Sequence, residues 1–204
     1  MNRSVASALI FVISIASPAC VAGGQTAQAT KASKAVGSKK IENVQRLQPS
    51  DVAARAPGLP PEFVEKLNTR GCTIPQFDSG GSTEAAAAMP TNVIEGEFAK
   101  RGQKDWAVLC SNGKTSTIVI FWSKPTSCSS QLARLDDPHF MQLGADKKMH
   151  FSRALTASDP SRDASQHRGP KQMTHQGIYD AFVGKSSSLF YCNEGKWRIY
   201  PGAD

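Results

Sequence analysis

The chain has 204 residues, a length that suits one domain of ordinary size. Its formal net charge of +7 is concentrated near one end, because the residues between Ala22 and Pro60 carry a net +4 and residues 61–204 only +2. The folded part is therefore nearly balanced in charge, which argues against nucleic acid as a partner. The basic stretch is expected to be a solvated tail, with weak attraction to anionic envelope polymers as the alternative.

Residues 1–22 have the order of a secretory signal peptide. Arg3 supplies the positive start, Val5 to Ala16 forms the apolar core, and small residues follow. The apolar core is too short to cross a bilayer comfortably, so we expect cleavage and a mature chain without a transmembrane segment. A lipid on Cys20 is the alternative, although the apolar residue usual three positions upstream is missing. The predicted location is periplasmic or secreted.

The remaining chain divides into a linker and one domain. Residues 23–40 lack aromatic side chains and any sustained apolar period. They cannot bury enough surface to offset the entropy of ordering, so this segment is a predicted disordered basic linker. Residues 41–204 are predicted to form a single globular domain.

A helix is predicted near residues 60–70. Pro60 and Pro61 are tolerated in a first turn, Glu62 lies at the positive end of the helix dipole, and Gly71 can end the helix. Its apolar stripe consists of Phe63, Val64 and Leu67.

Two polar stretches, 78–90 and 159–177, are predicted loops. Loops of this length are uncommon in compact domains and are usually functional or mobile. Mobility is the default expectation here.

The strongest local pattern is a hairpin over residues 105–122. Asn112-Gly113 separates two β-rich segments and suits a two-residue type I′ turn, which would pair Val108 with Thr117 and Trp106 with Val119. Both faces of this hairpin are apolar, so it should lie centrally in a sheet and be covered on both sides. One face should carry Trp106, Val108, Cys110, Val119 and Phe121, and the other Ala107, Leu109, Ile118, Ile120 and Trp122.

Further strands complete an α+β fold of mainly antiparallel sheet. A closing hairpin is predicted at 187–200 with its turn at Asn193 to Lys196, and residues 147–154 suit an additional strand. The N-terminal helix would pack on this sheet, and disulfides would hold it there.

Four cysteines remain after the leader, an even number that suggests two disulfides in an exported chain. Sequence alone allows three pairings, and free thiols are the alternative. No short paired spacing of the kind that binds zinc occurs. Since Cys72 follows the helix and Cys110 ends the central strand, we predict Cys72–Cys110 and Cys128–Cys192.

Residues 96–108, GEFAKRGQKDWAV, resemble the FG-GAP repeat of integrin-type propellers. That pattern has Gly-Asp-Phe, alternate oxygen-bearing residues, a glycine, an aspartate three residues later, and a strand. The match appears once, whereas a propeller needs several four-stranded blades, so a full propeller is not expected. The rest of the chain has the character of an exported bacterial protein.

The resemblance implies a calcium loop that has lost its ligands. Glu97 and Asp105 stand at two of the ligand positions of the family, but Ala99 has no side-chain oxygen and Arg101 is cationic. We therefore expect no metal and no cofactor here. Arg101 is predicted to bridge Glu97 and Asp105 in place of the ion, and exposed turn charges are the alternative.

Compact catalytic motifs are absent from the sequence, so no catalytic residue is assigned. Asp136, Asp137 and His139 form one weak candidate cluster. A second weak candidate pairs His175 with Asp180. His150, within a predicted strand, is expected to be structural.

The three tryptophans could stack on a carbohydrate. Trp106 and Trp122 point to opposite faces of the predicted hairpin, so core packing is favoured for at least one of them. Trp197 lies in the closing hairpin.

Two function classes fit these observations. The first is an exported non-catalytic protein of the cell envelope, either a binding module of unknown ligand or a structural and accessory component. The second is a small secreted hydrolase with a dispersed site drawn from His139, His175 and Asp136. A pocket that holds a histidine and a carboxylate within hydrogen-bond reach would favour the hydrolase.

Overall fold

The computed structural model describes residues 44–56, 58–78, 92–166 and 169–202, which belong to one compact unit. The predicted signal peptide, the linker, Cys20 and most of the predicted loop 78–90 lie outside the described residues.

Two short helices and a two-stranded sheet open the described chain. The second helix begins at Pro61, in the first turn, where proline is tolerated. Its buried residues are Phe63 and Leu67. The ring of Phe63 stacks on Phe121 at 5.1 Å between centroids. The elements are β1 (Arg46–Leu47), α1 (Pro49–Arg55), α2 (Pro61–Thr69) and β2 (Ile74–Pro75).

A four-stranded antiparallel sheet forms the centre of the molecule. Its strands follow one another in space as they do in sequence: β3 (Val93–Gly96), β4 (Asp105–Ser111), β5 (Thr115–Phe121) and β6 (Gln131–Asp136). The predicted central position of the hairpin is confirmed, because β4 and β5 are the two inner strands.

The second half of the chain adds another four-stranded antiparallel sheet. A 3-10 helix (Asp137–Phe140) leads into a small separate hairpin, β7 (Met141–Leu143) with β8 (Met149–Phe151). The larger sheet has the order β12-β11-β10-β9. None of the sheets in the described residues closes into a barrel. The remaining elements are β9 (Arg153–Ala157), α3 (Pro160–Ser165), β10 (Ile178–Phe182), β11 (Ser186–Asn193) and β12 (Lys196–Pro201).

Two apolar clusters cover the two faces of the β4–β5 hairpin. The first packs Trp106, Val108 and Val119 against the helices. The second packs the alternate residues of the same strands against the sheet β9–β12. Three layers result, and the predicted division of the hairpin residues between the two faces is confirmed.

The predicted register of this hairpin is wrong by two residues. Val108 lies opposite Val119 and Trp106 opposite Phe121. The turn is longer than a type I′ turn, because the Asn112 Oδ1 accepts hydrogen bonds from the amides of Lys114 and Thr115, at 3.0 and 2.9 Å. A slip of two residues returns every side chain to its original face, which is why the faces were nevertheless predicted correctly.

Two disulfides join the layers, and their pairings are those predicted. Cys72 is bonded to Cys110, which ties the end of α2 to β4. Cys128 is bonded to Cys192, which ties the loop before β6 to β11. Such bridges indicate a non-cytoplasmic, oxidising compartment.

Candidate functional site

The connection between β3 and β4, residues 97–105, is organised by a buried carboxylate. Asp105 is fully buried and accepts hydrogen bonds from the Ala99 amide (3.2 Å), the Gln103 side-chain amide (2.9 Å) and the Ser123 amide (3.0 Å). The predicted Arg101 bridge is wrong. Arg101 is exposed, and no ion pair joins it to Glu97 or Asp105 in the described part of the chain. Protein donors satisfy Asp105, so it needs no guanidinium.

Gly96 and Phe98 fix the start of this loop. The Phe98 ring is fully buried in the cluster between the two sheets. A Cβ on Gly96 would lie 2.5 Å from that ring and 3.0 Å from the Gln176 Oε1. The glycine is therefore required by close packing, and this local constraint stands whether or not the loop ever bound calcium.

Gln176 joins the loop to the polar segment before β10. Its side-chain Oε1 accepts a hydrogen bond from the Glu97 main-chain amide at 2.9 Å. The main-chain amide of Gln176 donates to the Glu97 carbonyl at 3.0 Å. Its Nε2 donates to the Ser158 carbonyl at 3.1 Å. Gln176 thereby joins Ser158, at the start of this polar segment, to Glu97 in the loop. Sequence reasoning missed Gln176, because bonds to main-chain atoms leave no motif.

Between these two segments lies a cleft of about 990 Å³. One wall carries Glu95, Glu97, Arg101 and Lys104, and the other is built from residues 160–161 and 172–176. Glu95 and Lys104 are paired across 3.2 Å at the surface. Glu97 and Arg101 form no ion pair with a described residue, so the cleft offers one carboxylate and one guanidinium.

His175 lines the cleft and is buried. Its Nδ1 is 2.8 Å from the Tyr191 hydroxyl, which also accepts a hydrogen bond from the Thr174 amide at 3.0 Å. Its Nε2 is buried without a hydrogen-bond partner among the described residues. Burial lowers the pKa of His175, against the opposing effect of Glu97 and Asp105, so the ring is neutral at neutral pH.

The other predicted site residues do not assemble. Asp137 is buried and accepts from Arg46 (3.0 Å) and Ser111 (2.6 Å), whereas Asp136 and His139 are exposed at the surface. Asp180 does not bond to His175, because it pairs with the buried Arg153. No hydrogen bond in the described residues links the members of the predicted dispersed site, His139, His175 and Asp136.

His150 does lie within hydrogen-bond reach of carboxylates, beside a cavity of about 210 Å³. Its Nδ1 is 2.6 Å from Asp78 and its Nε2 is 2.7 Å from Asp146. Each ring nitrogen of His150 is therefore hydrogen-bonded to a carboxylate. An imidazolium that donates from both nitrogens has none left to act as a base. The geometry supports the predicted structural role: His150 ties the β7–β8 hairpin to the segment after β2.

We expect this contact to make stability depend on pH. Hydrogen bonds to Asp146 and Asp78 raise the pKa of His150 above its ordinary value. Its contribution is therefore complete below the unfolded-state pKa of about 6.5 and is lost as the pH rises through the folded-state value. Exposed pairs contribute about 1 kcal/mol or less. Denaturant unfolding of His150→Gln should match the wild type at alkaline pH and fall below it at pH values under about 6; equal stability throughout would contradict the charged contact.

The tryptophans are divided between packing sites. Trp106 is buried against the helices. Trp122 and Trp197 stack on each other at 5.8 Å, and the Trp197 indole donates to the Ser129 carbonyl at 2.9 Å. The three rings do not form one platform.

Comparison of the chain with protein-family models, with curated proteins and with solved structures gives no match. Among the described residues, no three His, Cys, Asp or Glu side chains come together in a way that could hold a metal ion. No helix in the described ranges is long and apolar enough to cross a bilayer.

Proposed function

We propose that this protein is an exported, non-catalytic binding module of the cell envelope, periplasmic or secreted, whose ligand lies in the cleft. The observation that carries the proposal is the cleft itself, whose walls are joined by hydrogen bonds of Gln176. Its volume of about 990 Å³ suits a small-molecule or short-peptide ligand. Its two walls are held by the Gln176 hydrogen bonds, so the site is preformed.

The charges of the cleft favour a ligand that carries both an amine and a carboxylate. Glu97 is half-buried and free to accept from an ammonium group, and Arg101 is free to donate to a carboxylate. His175, neutral at neutral pH, adds a hydrogen-bonding ring to the cleft, and no described carboxylate is bonded to it to orient it as a general base. Peptide fragments of the cell wall carry both charged groups and are available to an envelope protein.

The resemblance of residues 96–108 to the FG-GAP repeat suggests how this loop originated. On this proposal, the loop 97–105 descends from a blade connection whose calcium has been replaced by protein hydrogen-bond donors to Asp105. It now serves as one wall of the cleft.

The test uses soluble peptidoglycan disaccharide-peptides as the probe. We expect the amide resonances of residues 95–104 and 172–176 to shift on titration. Glu97→Gln and Arg101→Gln should each weaken binding by about tenfold or more, the size of a hydrogen bond to a charged group. Glu65→Gln and Arg70→Gln are exposed near α2 and serve as matched controls with no expected effect.

Two outcomes would contradict the proposal. Resonance shifts confined to residues away from the cleft, or no shift at all, would show that the cleft does not bind this probe. Cleavage of the probe, lost in a His175→Gln variant, would favour the hydrolase instead.

A further inference from the structure

Exposed apolar side chains are concentrated at one tip of the molecule. Five large apolar side chains are exposed in the described part of the chain, and three of them lie at this tip: Leu143 (68%), Met149 (44%) and Val183 (38%). The other two, Leu135 and Ile199, lie on different strands. Single exposed apolar residues are ordinary, but a cluster at one protrusion needs an explanation.

The three side chains belong to two adjacent turns. Leu143 lies directly opposite Met149 in the β7–β8 hairpin, so both point to the same side. The Gln142 side chain donates to the Val183 carbonyl at 2.7 Å, which brings the β10–β11 turn beside the hairpin. Leu143 and Val183 line the same small cavity.

Three lysines lie in the two turns of this apolar tip. Lys147 and Lys148 are exposed in the hairpin turn, and Lys185 is exposed in the neighbouring turn. Two carboxylates lie beside the tip, because the ring nitrogens of His150 are 2.7 Å from Asp146 and 2.6 Å from Asp78. The tip therefore presents apolar side chains beside three exposed lysines, which outnumber the two carboxylates that contact His150.

Main-chain hydrogen bonds hold both turns of the tip. The Gly144 amide donates to the Lys148 carbonyl at 2.8 Å, and the Lys185 amide to the Phe182 carbonyl at 2.9 Å. The His150 contacts fix the base of the hairpin.

We propose that this tip, defined by Leu143, Met149, Val183, Lys147, Lys148 and Lys185, docks reversibly on an anionic lipid surface. Apolar side chains framed by lysines are the chemistry of interfacial membrane contact, in which the chains enter the headgroup boundary and the lysines meet lipid phosphates. A second copy of the chain fits less well, because an isologous contact would place lysines against lysines. The proposal does not depend on a ligand in the cleft.

Co-sedimentation of the full chain with vesicles tests this surface. Vesicles of phosphatidylglycerol mixed with phosphatidylcholine should bind the protein, and vesicles of pure phosphatidylcholine should bind it much less. Leu143→Ser with Met149→Ser should reduce binding by about tenfold or more. Lys147→Ser with Lys148→Ser should reduce it by about fivefold for each charge, and added salt should weaken the wild type.

Matched variants separate the tip from general charge and from the N-terminal tail. Leu135→Ser with Ile199→Ser removes the exposed apolar residues elsewhere, and Lys100→Ser with Lys124→Ser removes the same net charge. Both pairs keep the N-terminal tail and should bind as the wild type does. All four pairs are exposed, so unfolding midpoints should be unchanged.

A second readout places the tip in the lipid. Leu143→Trp should gain fluorescence quenching by brominated phosphatidylglycerol relative to the wild type. Equal vesicle binding by the tip and control pairs would overturn the proposal. So would equal binding to neutral vesicles, or dimerisation through the tip without vesicle binding.

Discussion

Replacing Asp180 by alanine is expected to destabilise the protein by about 3–5 kcal/mol, the cost of leaving a buried charge without its partner. Arg153 is fully buried. Its Nε donates to the Asp180 Oδ1 and its Nη2 to the Oδ2, both at 2.8 Å. The guanidinium also donates to the Ser116 hydroxyl (2.7 Å) and lies 4.5 Å from the centre of the Phe140 ring. None of these partners can replace the lost carboxylate charge.

Denaturant unfolding measures this effect. Arg153→Met with Asp180→Leu removes both charges and should cost much less than Asp180→Ala, because paired apolar replacements avoid the unpaired ion. The exposed pair Glu95–Lys104 provides the matched control, and Glu95→Ala should cost less than about 1 kcal/mol. If Asp180→Ala cost no more than Glu95→Ala, the buried ion pair would not be formed in solution.

Features of the fold that follow from local sequence patterns were predicted, whereas features that depend on other contacts were not. Alternation along β4 and β5 is local, so both faces of the hairpin could be predicted from it. The register depended on side-chain bonds of Asn112 within the turn, which the Asn-Gly pattern does not specify. A different turn length therefore changed the pairing and left the layers unchanged.

Charged residues were predicted less well, because their partners are distant in sequence. Arg153 alternates in sequence with the buried Phe151 and Leu155, but the sequence does not indicate its partners, because Asp180 and Ser116 contact it from two other strands. Gln176 acts on the Glu97 main chain 79 residues away. The cleft depends on contacts of this kind, so its presence could not be predicted from spacing along the chain.

For Arg101 the sequence predicted an ion pair that the structure does not contain in the described residues. A charge at a position where the FG-GAP pattern has a ligand suggested a bridge to the nearby acids, but the structure gives Asp105 other donors. Two of these donors are main-chain amides, which lose no side-chain entropy, whereas holding an exposed arginine in one geometry does cost entropy.

Replacing Asp105 by alanine is accordingly expected to destabilise the protein by about 2–4 kcal/mol. The change would leave the donors of Ala99, Gln103 and Ser123 without their acceptor, and buried unsatisfied donors cost about 1–3 kcal/mol each before relaxation. Arg101→Ala should change stability by no more than about 0.5 kcal/mol, since its side chain is exposed. Calcium should leave the unfolding midpoint of the wild type unchanged, because protein donors occupy the Asp105 carboxylate.

The control for this prediction is Asp105→Asn, which retains one carbonyl oxygen. It should be intermediate in stability, because that oxygen can still accept from some of the three donors while the new amide group cannot. Urea midpoints of the three variants, measured with and without calcium, give the order directly. An Arg101→Ala loss as large as that of Asp105→Ala would show that the arginine bridges the acids after all, and calcium stabilisation of the wild type would show that the loop binds metal.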